Sequence, residues 1–275
     1  MTMKLMYITR NPEVAVIAQN AGVDRIFVDM EYIGKDMRQK GFDSVKNHHT
    51  VEDVKAIRKV LDKAELLVRV NPVHEAGSEY CSTEEEVEAT VKAGADVIML
   101  PYFKTAEEVR RFIKSVDGRC RTMLLLETPE AVENLDEILK VPGIDEIHIG
   151  LNDLSLGYHM KFMFELLCDG TVERICEKLK NANVFYGFGG IASLGKGMLP
   201  AELIIIEHYR LGSEMTILSR SFLNTEKVTD LGYINAYFKD EVKRIREFEK
   251  TIADGNAFEG NLDEIKRRVQ MIIGG

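Results

Sequence analysis

The segment RTMLLLETPEAVENLDEILKVPGIDEIHIG, residues 121–150, holds most of one strand–helix–strand unit. Its first part, Arg121–Thr128, is a short aliphatic run with the length and composition of a buried strand. The next stretch, Pro129–Leu139, has the amphipathic spacing of a helix, and a second aliphatic run follows over Glu146–Leu151. Strands that alternate with helices in this way are typical of parallel sheets, and this alternation decides the fold class.

The same unit recurs along almost the whole chain, and eight copies predict an α/β fold, a closed (β/α)8 barrel of the TIM type. The length of 275 residues suits this fold, which typically needs about 250. An open, doubly wound sheet is the alternative that the alternation also allows. The predicted strands are Lys4–Thr9, Arg25–Met30, Glu65–Val70, Val97–Tyr102, Arg121–Thr128, Glu146–Leu151, Val184–Phe188 and Met215–Arg220.

Two helices are predicted beyond those that a barrel needs, over Leu231–Ala253 and Asn261–Ile273. We expect one domain over residues 1–275, because no change in composition and no Pro/Ser-rich linker divides the chain. The extra C-terminal helices, within residues 231–275, are candidates for packing on a neighbouring subunit. Helices in the barrel are predicted over Pro12–Ala21, Val51–Leu61, Thr83–Ala93, Thr105–Val116, Pro129–Leu139 and Pro200–Leu211.

The charge of the chain limits its partners. There are 45 acidic residues against 36 Lys and Arg, a formal net charge of −9. A nucleic-acid surface would need clustered basic residues, so we expect no nucleic-acid partner. A small anionic substrate is still compatible with this charge, because one arginine in a pocket is enough to bind it.

The four cysteines are not spaced as Cys-x-x-Cys, and no histidine lies near them at zinc-finger spacing. We therefore expect reduced thiols in a cytoplasmic protein. The N-terminus lacks the long apolar segment of a signal peptide, and the apolar runs are too short to span a membrane. The sequence thus predicts a cytoplasmic protein with no membrane partner.

Charged residues lie at the ends of several predicted strands, where these leave the core. They are Asp29 and Glu31 at the end of the second strand, Arg69 at the end of the third, Glu127 at the end of the fifth and Asp153 just after the sixth. The active sites of such barrels collect at these C-terminal strand ends. Burying a charge there costs several kcal/mol unless the charge is paired or bound to a metal.

Two carboxylates on adjacent strands, Glu127 and Asp153, with Arg69 nearby indicate a metal and oxyanion site. Carboxylate and water oxygens suit Mg²⁺ or Mn²⁺. The alternatives are that Glu127 bonds to the start of the helix after Pro129 and that Asp153 caps a turn beside Asn152.

Four motifs resemble the HpcH/HpaI aldolase and citrate lyase β-subunit family of class II, metal-dependent, pyruvate-forming aldolases. They are Gly22–Glu31, Gly94–Pro101, Glu127–Ile138 and Ile149–Ser155. They occur in order, and the resemblance extends from about residue 13 to about residue 250. Four motifs in register are a much more specific signal than one.

The resemblance implies a barrel of the phosphoenolpyruvate/pyruvate-binding type that binds pyruvate as its enolate. Carried over to this chain, it implies that Glu127 and Asp153 bind Mg²⁺ or Mn²⁺, with Co²⁺ as a further option. Arg69 would stabilise the enolate oxygen, and the backbone N–H groups of Gly150, Leu151 and Asn152 would hold the carboxylate. It also implies a 2-oxo acid and an aldehyde as substrates, and a homo-oligomer, either a trimer or a hexamer.

The sequence departs from the family pattern at two positions. The family usually has a histidine that serves in proton transfer where this chain has Tyr32, and often a glutamine where it has Leu125. A neutral tyrosine is a poor base at pH 7. Tyr32 could instead act as an acid or hydrogen-bond donor, His48 or His49 could serve as the base, or the reaction could differ from usual aldol chemistry.

Three further features have competing interpretations. The loop Ile33–Thr50 carries several basic residues and is either a solvated loop or a lid over an anionic substrate. The segment Gly190–Gly197 approximates a nucleotide phosphate loop, but Gly197 stands where a Ser or Thr would bind Mg²⁺. Its alternatives are a contact to a substrate phosphate, since it follows the seventh strand, and a flexible gating loop. Glu207 and His208 fall in a predicted helix, where we expect a surface pair.

The function favoured by these observations is a carbon–carbon lyase that cleaves or forms a 4-hydroxy-2-oxo acid. A thioester lyase of the citrate lyase β-subunit type is an alternative, although no basic cluster suggests a coenzyme A site. A barrel that has lost the activity and serves as a binding protein is a third hypothesis, because the usual histidine is missing.

Overall fold

The computed structural model describes residues 2–34 and 49–274. Eight parallel strands form a closed barrel in chain order, with β8 paired to β1. This confirms the predicted (β/α)8 barrel and excludes the open sheet. The strands are β1 Lys4–Ile8, β2 Arg25–Asp29, β3 Glu65–Arg69, β4 Val97–Leu100, β5 Arg121–Leu126, β6 Glu146–Ile149, β7 Phe185–Ile191 and β8 Met215–Leu218.

Helices follow the strands and cover the outside of the barrel. Several begin with a capping box, in which a Ser or Thr hydroxyl and the acid three residues later bond reciprocally to backbone N–H groups. The helices are α1 Pro12–Ala21, α2 Val51–Arg58, α3 Thr83–Lys92, α4 Ala106–Val116, α5 Pro129–Glu133, α6 Leu135–Ile138, α7 Leu151–Gly157, α8 Glu165–Cys168, α9 Thr171–Asn181, α10 Ala201–Leu211, α11 Leu231–Ile252 and α12 Asn261–Gly274.

Strand β7 differs most from its sequence-based boundaries. It continues to Ile191 instead of ending at Phe188, and its pairing with β8 shifts register between Gly187 and Gly190. A Cβ atom at Gly187 would lie 2.0 Å from the backbone oxygen of Met215. The two strands can approach this closely because position 187 has no side chain.

Alternate residues of each strand face the barrel interior, as the period of a strand requires. The middle of the interior is a closely packed apolar layer. Its buried residues are Met6, Phe27, Leu67, Val97, Met99, Met123, Leu125 and Met215.

An ionic layer lies at the N-terminal ends of the strands, centred on the fully buried Arg25. Its Nη2 donates to Glu146 Oε1 at 2.6 Å, and its Nε donates to Glu65 Oε2 at 2.6 Å. Burial alone would raise the pKa of Glu65, but the guanidinium groups of Arg25 and Arg121 lower it to about 2. The layer ties strands β2, β3, β5 and β6 together from inside.

The two C-terminal helices pack on the barrel of their own chain. Phe238 of α11 meets Tyr7 edge to face at 4.8 Å, and Arg246 pairs with Asp24 at 2.7 Å. Asn261 at the start of α12 donates to Glu207 of α10 at 2.7 Å. The same surfaces can still contribute to an oligomer, so packing on a neighbouring subunit remains a prediction.

The expectation of a surface pair at Glu207 and His208 is wrong, because both residues are fully buried. Glu207 accepts hydrogen bonds from Arg210 and from Asn261, which anchors α12. His208 stacks on Phe188 at a ring distance of 3.8 Å. Helical spacing alone did not show that α10 is covered on both sides.

The four cysteines are free thiols. Within the part of the chain that the structure describes, no helix is long and apolar enough to cross a membrane.

The ionic layer gives a stability prediction. We expect Glu146→Gln to lower the free energy of unfolding by about 3–5 kcal/mol, because it leaves the buried Arg25 with the partly exposed Glu65 as its partner. Urea denaturation at pH 7 measures the change. Glu107→Gln, which breaks an exposed pair with Arg110, is the control and should cost less than about 1 kcal/mol. Equal losses in the two variants would contradict the importance of the layer.

Candidate active site

A cavity of about 910 Å³ opens at the C-terminal ends of the strands. The sequence-predicted residues Arg69, Glu127, Asp153 and His49 all line it. The strand ends therefore bring together residues that are far apart in the sequence, as the barrel architecture requires.

Glu127 follows β5 and is 3% exposed. Its Oε1 accepts a hydrogen bond from the backbone N–H of Tyr102 at 3.0 Å. The cap of the following helix α5 is Thr128, whose hydroxyl accepts the N–H of Ala131. The alternative that Glu127 bonds to the start of that helix is therefore wrong, and its carboxylate belongs to the cavity.

Asp153 lies in the first turn of α7, directly after β6. Gly150 directly precedes the helix that carries Asp153 and also lies next to Glu127. A Cβ atom at position 150 would lie 2.9 Å from Glu127 Oε2. The missing side chain leaves space beside the Glu127 carboxylate at the start of the helix that carries Asp153. Both acids line this part of the cavity.

Arg69 is held by two acids from the end of β2. Its Nε and Nη2 each donate to one carboxylate oxygen of Asp29 at 2.8 Å, and Nη1 lies 3.4 Å from Glu31 Oε2. Burial disfavours the charged guanidinium, but the charges of Asp29 and Glu31 outweigh it and raise the pKa of Arg69 well above its usual value. Glu127 adds to the same effect, which places its charge near the guanidinium. The pairing fixes a permanent positive charge at the cavity wall.

The predicted carboxylate cradle at Gly150, Leu151 and Asn152 needs one correction. The N–H of Gly150 donates to the carbonyl of Leu126 at 3.0 Å, as part of the barrel. The N–H of Gly150 is therefore not available to a substrate carboxylate. The N–H groups of Leu151 and Asn152 lie in the first turn of α7, where a helix leaves N–H groups without partners in the helix itself.

The two predicted proton-transfer residues lie in different places. The side chain of Tyr32 is 41% exposed and is not part of the cavity wall, and burial raises the pKa of its hydroxyl further. His49 is buried in the cavity wall, where its Nδ1 accepts the backbone N–H of Asp29 at 3.0 Å. A neutral His49 then carries its proton on Nε2, so the geometry favours a hydrogen-bond donor over the predicted base. His48 and most of the candidate lid loop lie outside the described residues.

One cavity residue that the sequence reasoning missed is His148 on β6. Its Nε2 donates to the carbonyl of Gly189 at 3.0 Å, whereas its buried Nδ1 has no hydrogen-bond partner among the described residues. Burial lowers the pKa of His148 to about 4, assisted by the charges of Arg25 and Arg69. Polar and apolar residues alternate in Glu146-Ile-His148-Ile. Because alternate strand residues face the same side, an inward Glu146 would have predicted an inward His148.

The glycine-rich segment Gly190–Gly197 begins inside β7 and contributes to the cavity only through Gly190. Gly189, the residue before it, also lines the cavity. Lys196 turns away to Tyr237, bonding to its hydroxyl at 3.0 Å and lying over its ring. A nucleotide phosphate loop would need this lysine at the ligand, so that interpretation is wrong.

The donors at Glu127 and Asp153 fit a hard divalent cation. Residues 2–34 and 49–274 contain no group of three or more acidic, His or Cys side chains arranged to hold a metal. A metal here would therefore have two carboxylate ligands and complete its shell with substrate and water oxygens, as Mg²⁺ commonly does. The space that Gly150 leaves beside Glu127 is consistent with such a shell.

The buried His148 predicts sensitivity to acid. Folding lowers the pKa of His148. Its contribution to the free energy of unfolding is therefore complete above pH 6.5 and is lost as the pH falls towards 4. Between these values we expect stability to fall by up to about 1.4 kcal/mol per pH unit from this group. His148→Phe should flatten the dependence of the urea midpoint on pH, and replacement of the exposed His159 by Asn should not. An unchanged slope in His148→Phe would show that the histidine is already protonated or accessible.

Comparisons with known proteins show the family and the fold of the chain. The model of the HpcH/HpaI aldolase/citrate lyase family matches residues 4–187, which is more than half of the chain. No curated protein matches the sequence.

Solved structures share the fold at low sequence identity. A HpcH/HpaI aldolase from Desulfitobacterium hafniense DCB-2 is 18% identical, with a TM-score of 0.59, over 90% of this chain and 93% of that one. A HpcH/HpaI aldolase/citrate lyase family protein from Burkholderia cenocepacia J2315 is 15% identical, with a TM-score of 0.61, over 85% and 94%. The citrate synthase SbnG is 15% identical, with a TM-score of 0.61, over 84% and 92%. The family match over β1 to the start of β7 shows that this chain belongs to the HpcH/HpaI aldolase/citrate lyase family.

Proposed function

We propose that this protein is a divalent-metal-dependent carbon–carbon lyase that cleaves or forms a 4-hydroxy-2-oxo acid through the enolate of pyruvate. The observation that carries the proposal is the meeting of Arg69, Glu127 and Asp153 in one cavity at the strand ends. The family match, to aldolases and citrate lyases, supports the same reaction class.

Glu127 and Asp153 would hold Mg²⁺ or Mn²⁺, with the keto and carboxylate oxygens of the 2-oxo acid as further ligands. Such an ion, when bound, withdraws electron density from the keto oxygen as a Lewis acid. The buried carboxylate of Glu127 and the half-buried one of Asp153 supply two negative charges, which makes a divalent cation a suitable counter-charge.

Arg69 would stabilise the negative charge that develops on the C2 oxygen. When the C3–C4 bond breaks, its electron pair moves into the enolate, and the C4 hydroxyl gives its proton to water in the open cavity as the aldehyde forms and leaves. C3 of the enolate then takes a proton from water, which gives pyruvate. A guanidinium that is already fixed by Asp29 and Glu31 needs no reorganisation when the bond breaks, and such preorganised charge is usually a large part of catalysis. The N–H groups of Arg69 that are directed at neither Asp29 nor Glu31 would face the enolate.

His49 lines the cavity beside Asp29 and would help to position the substrate there. Its ring is fixed by the bond from the Asp29 N–H, so the second nitrogen has a defined direction. The proposal assigns no proton transfer to Tyr32, since its side chain does not line the cavity.

The metal site is tested with Glu127→Ala. Mg²⁺ or Mn²⁺ at a hundredfold excess over Kd should stabilise the wild type by about 2.7 kcal/mol and the variant not at all. Thermal unfolding with and without the metal measures this. Glu130→Ala removes an exposed acid three residues away and should keep the full stabilisation. Equal stabilisation of Glu127→Ala and the wild type would mean that the metal binds elsewhere.

The role of Arg69 is tested with Arg69→Lys, which keeps the charge but loses the two-point bond to Asp29. We expect kcat/KM to fall by about 100-fold, the usual loss when one oxyanion donor is removed. Pyruvate release from 4-hydroxy-2-oxo acids, coupled to NADH oxidation in the presence of Mg²⁺, measures it. Arg110→Lys on the outer surface is the control. A wild type that releases no pyruvate from any such acid would refute the proposed function.

A further inference from the structure

We infer that the cavity rim at the ends of β1 and β8 binds a phosphate monoester on the aldehyde half of the substrate. The inference deepens the proposed function, because it names the class of acceptor that the lyase would use. The phosphate remains on its carbon throughout, so cleavage would give pyruvate and a phosphorylated aldehyde.

The cavity has room for a larger molecule than pyruvate. Its volume of about 910 Å³ lies near the top of the range of about 300–1,000 Å³ that is typical of small-molecule sites. The residues proposed to bind the 2-oxo acid come from the ends of β2, β3, β5 and β6. The ends of β7, β8 and β1 complete the opposite wall, where the rest of the substrate would lie.

Two guanidinium groups lie on this opposite wall. Arg10 follows β1 and Arg220 follows β8, and both line the cavity. The strands pair with Tyr7 opposite Leu218, so the two arginines leave the barrel at nearly the same level. Both side chains are exposed, and neither has a hydrogen bond or an ion pair to any described residue. They are therefore available to an anion.

Two hydroxyl groups on the same wall can donate to that anion. The oxygen of Thr9 already accepts the N–H of Asn11, and that of Ser219 accepts the N–H of Ser221. Each hydroxyl therefore keeps its own hydrogen for a ligand. The α1 helix starts beside them, and its N-cap Asn11 lines the cavity, so the positive end of the helix dipole adds to the potential.

One acid opposes these charges. Glu226 lines the same part of the cavity and is exposed. The two arginines outweigh it by one unit, and the net charge of this wall is positive. The opposite wall carries Glu127 and Asp153, so the cavity is divided into an acidic, metal-binding side and a basic side.

The arrangement suits a phosphate better than a carboxylate. One guanidinium in a bidentate pair already balances the single charge of a carboxylate, whereas two guanidiniums on separate strands match the three outer oxygens and two charges of a phosphate monoester. Barrels often bind phosphate in the loops after their seventh and eighth strands. Arg220 lies directly after β8, and Gly189 and Gly190 lie next to the end of β7, so the same edge of the barrel lines the cavity here.

The first test uses a probe that cannot react, so its result does not depend on the lyase activity. Isothermal titration with glycerol 3-phosphate should show binding to the wild type that weakens by about tenfold or more in the double variant Arg10→Gln/Arg220→Gln. Arg110→Gln, on the outer surface, should bind like the wild type. No binding to the wild type, or equal binding to the double variant, would overturn the inference even if the protein proved to be a lyase.

The second test compares acceptors in the direction of synthesis, with pyruvate and Mg²⁺. The wild type should use glyceraldehyde 3-phosphate with a kcat/KM about tenfold or more above that for glyceraldehyde. The double variant should lose most of this preference, mainly through a higher KM. A wild type that prefers glyceraldehyde, or prefers the carboxylate-bearing 4-oxobutanoate over the phosphate, would overturn the assignment. Failure of every acceptor would refute the proposed function and leave the titration to decide on the phosphate site.

Discussion

The ion pair between Arg69 and Asp29 is the interaction on which the site depends. A charge inside a closed barrel is costly unless a partner meets it, and these two residues meet with two parallel hydrogen bonds across the β2–β3 pair. The pair fixes the direction of the Arg69 guanidinium, whose Nη1 also lies 3.4 Å from Glu31 Oε2. The backbone of Asp29 also holds His49, so one strand end organises both donors of the proposed site.

At each end of the barrel interior, an arginine is paired with acidic side chains. Arg25 is satisfied by Glu146 and Glu65 at the N-terminal ends of the strands, and an apolar layer separates that network from the cavity. The network around Arg25 stabilises the barrel, whereas the network around Arg69 is open to a ligand on one side. The difference lies in the arginine at the centre of each network: Arg25 is fully buried among its partners, whereas Arg69 lines the cavity.

Much of the fold could be predicted from the sequence because aliphatic strands and amphipathic helices alternate with clear periods. The site residues Arg69, Glu127 and Asp153 could be found because strand ends are where such barrels place charges. The direction of two side chains was not predicted. His148 lies within a strand and faces the cavity, and Tyr32, which directly follows the Gly22–Glu31 motif, does not line the cavity. Glu207 and His208 were misjudged because the burial of α10 depends on α12, which lies more than fifty residues later in the chain.

The central claim is that Glu127 and Asp153 support formation of the pyruvate enolate. Exchange of the C3 protons of pyruvate in D₂O, followed by NMR, tests this most directly, because it needs no knowledge of the aldehyde. The account predicts exchange that requires Mg²⁺ or Mn²⁺ and is lost in Asp153→Asn. Exchange that is absent from the wild type with every divalent metal, or that proceeds equally in the presence of a chelator, would contradict it.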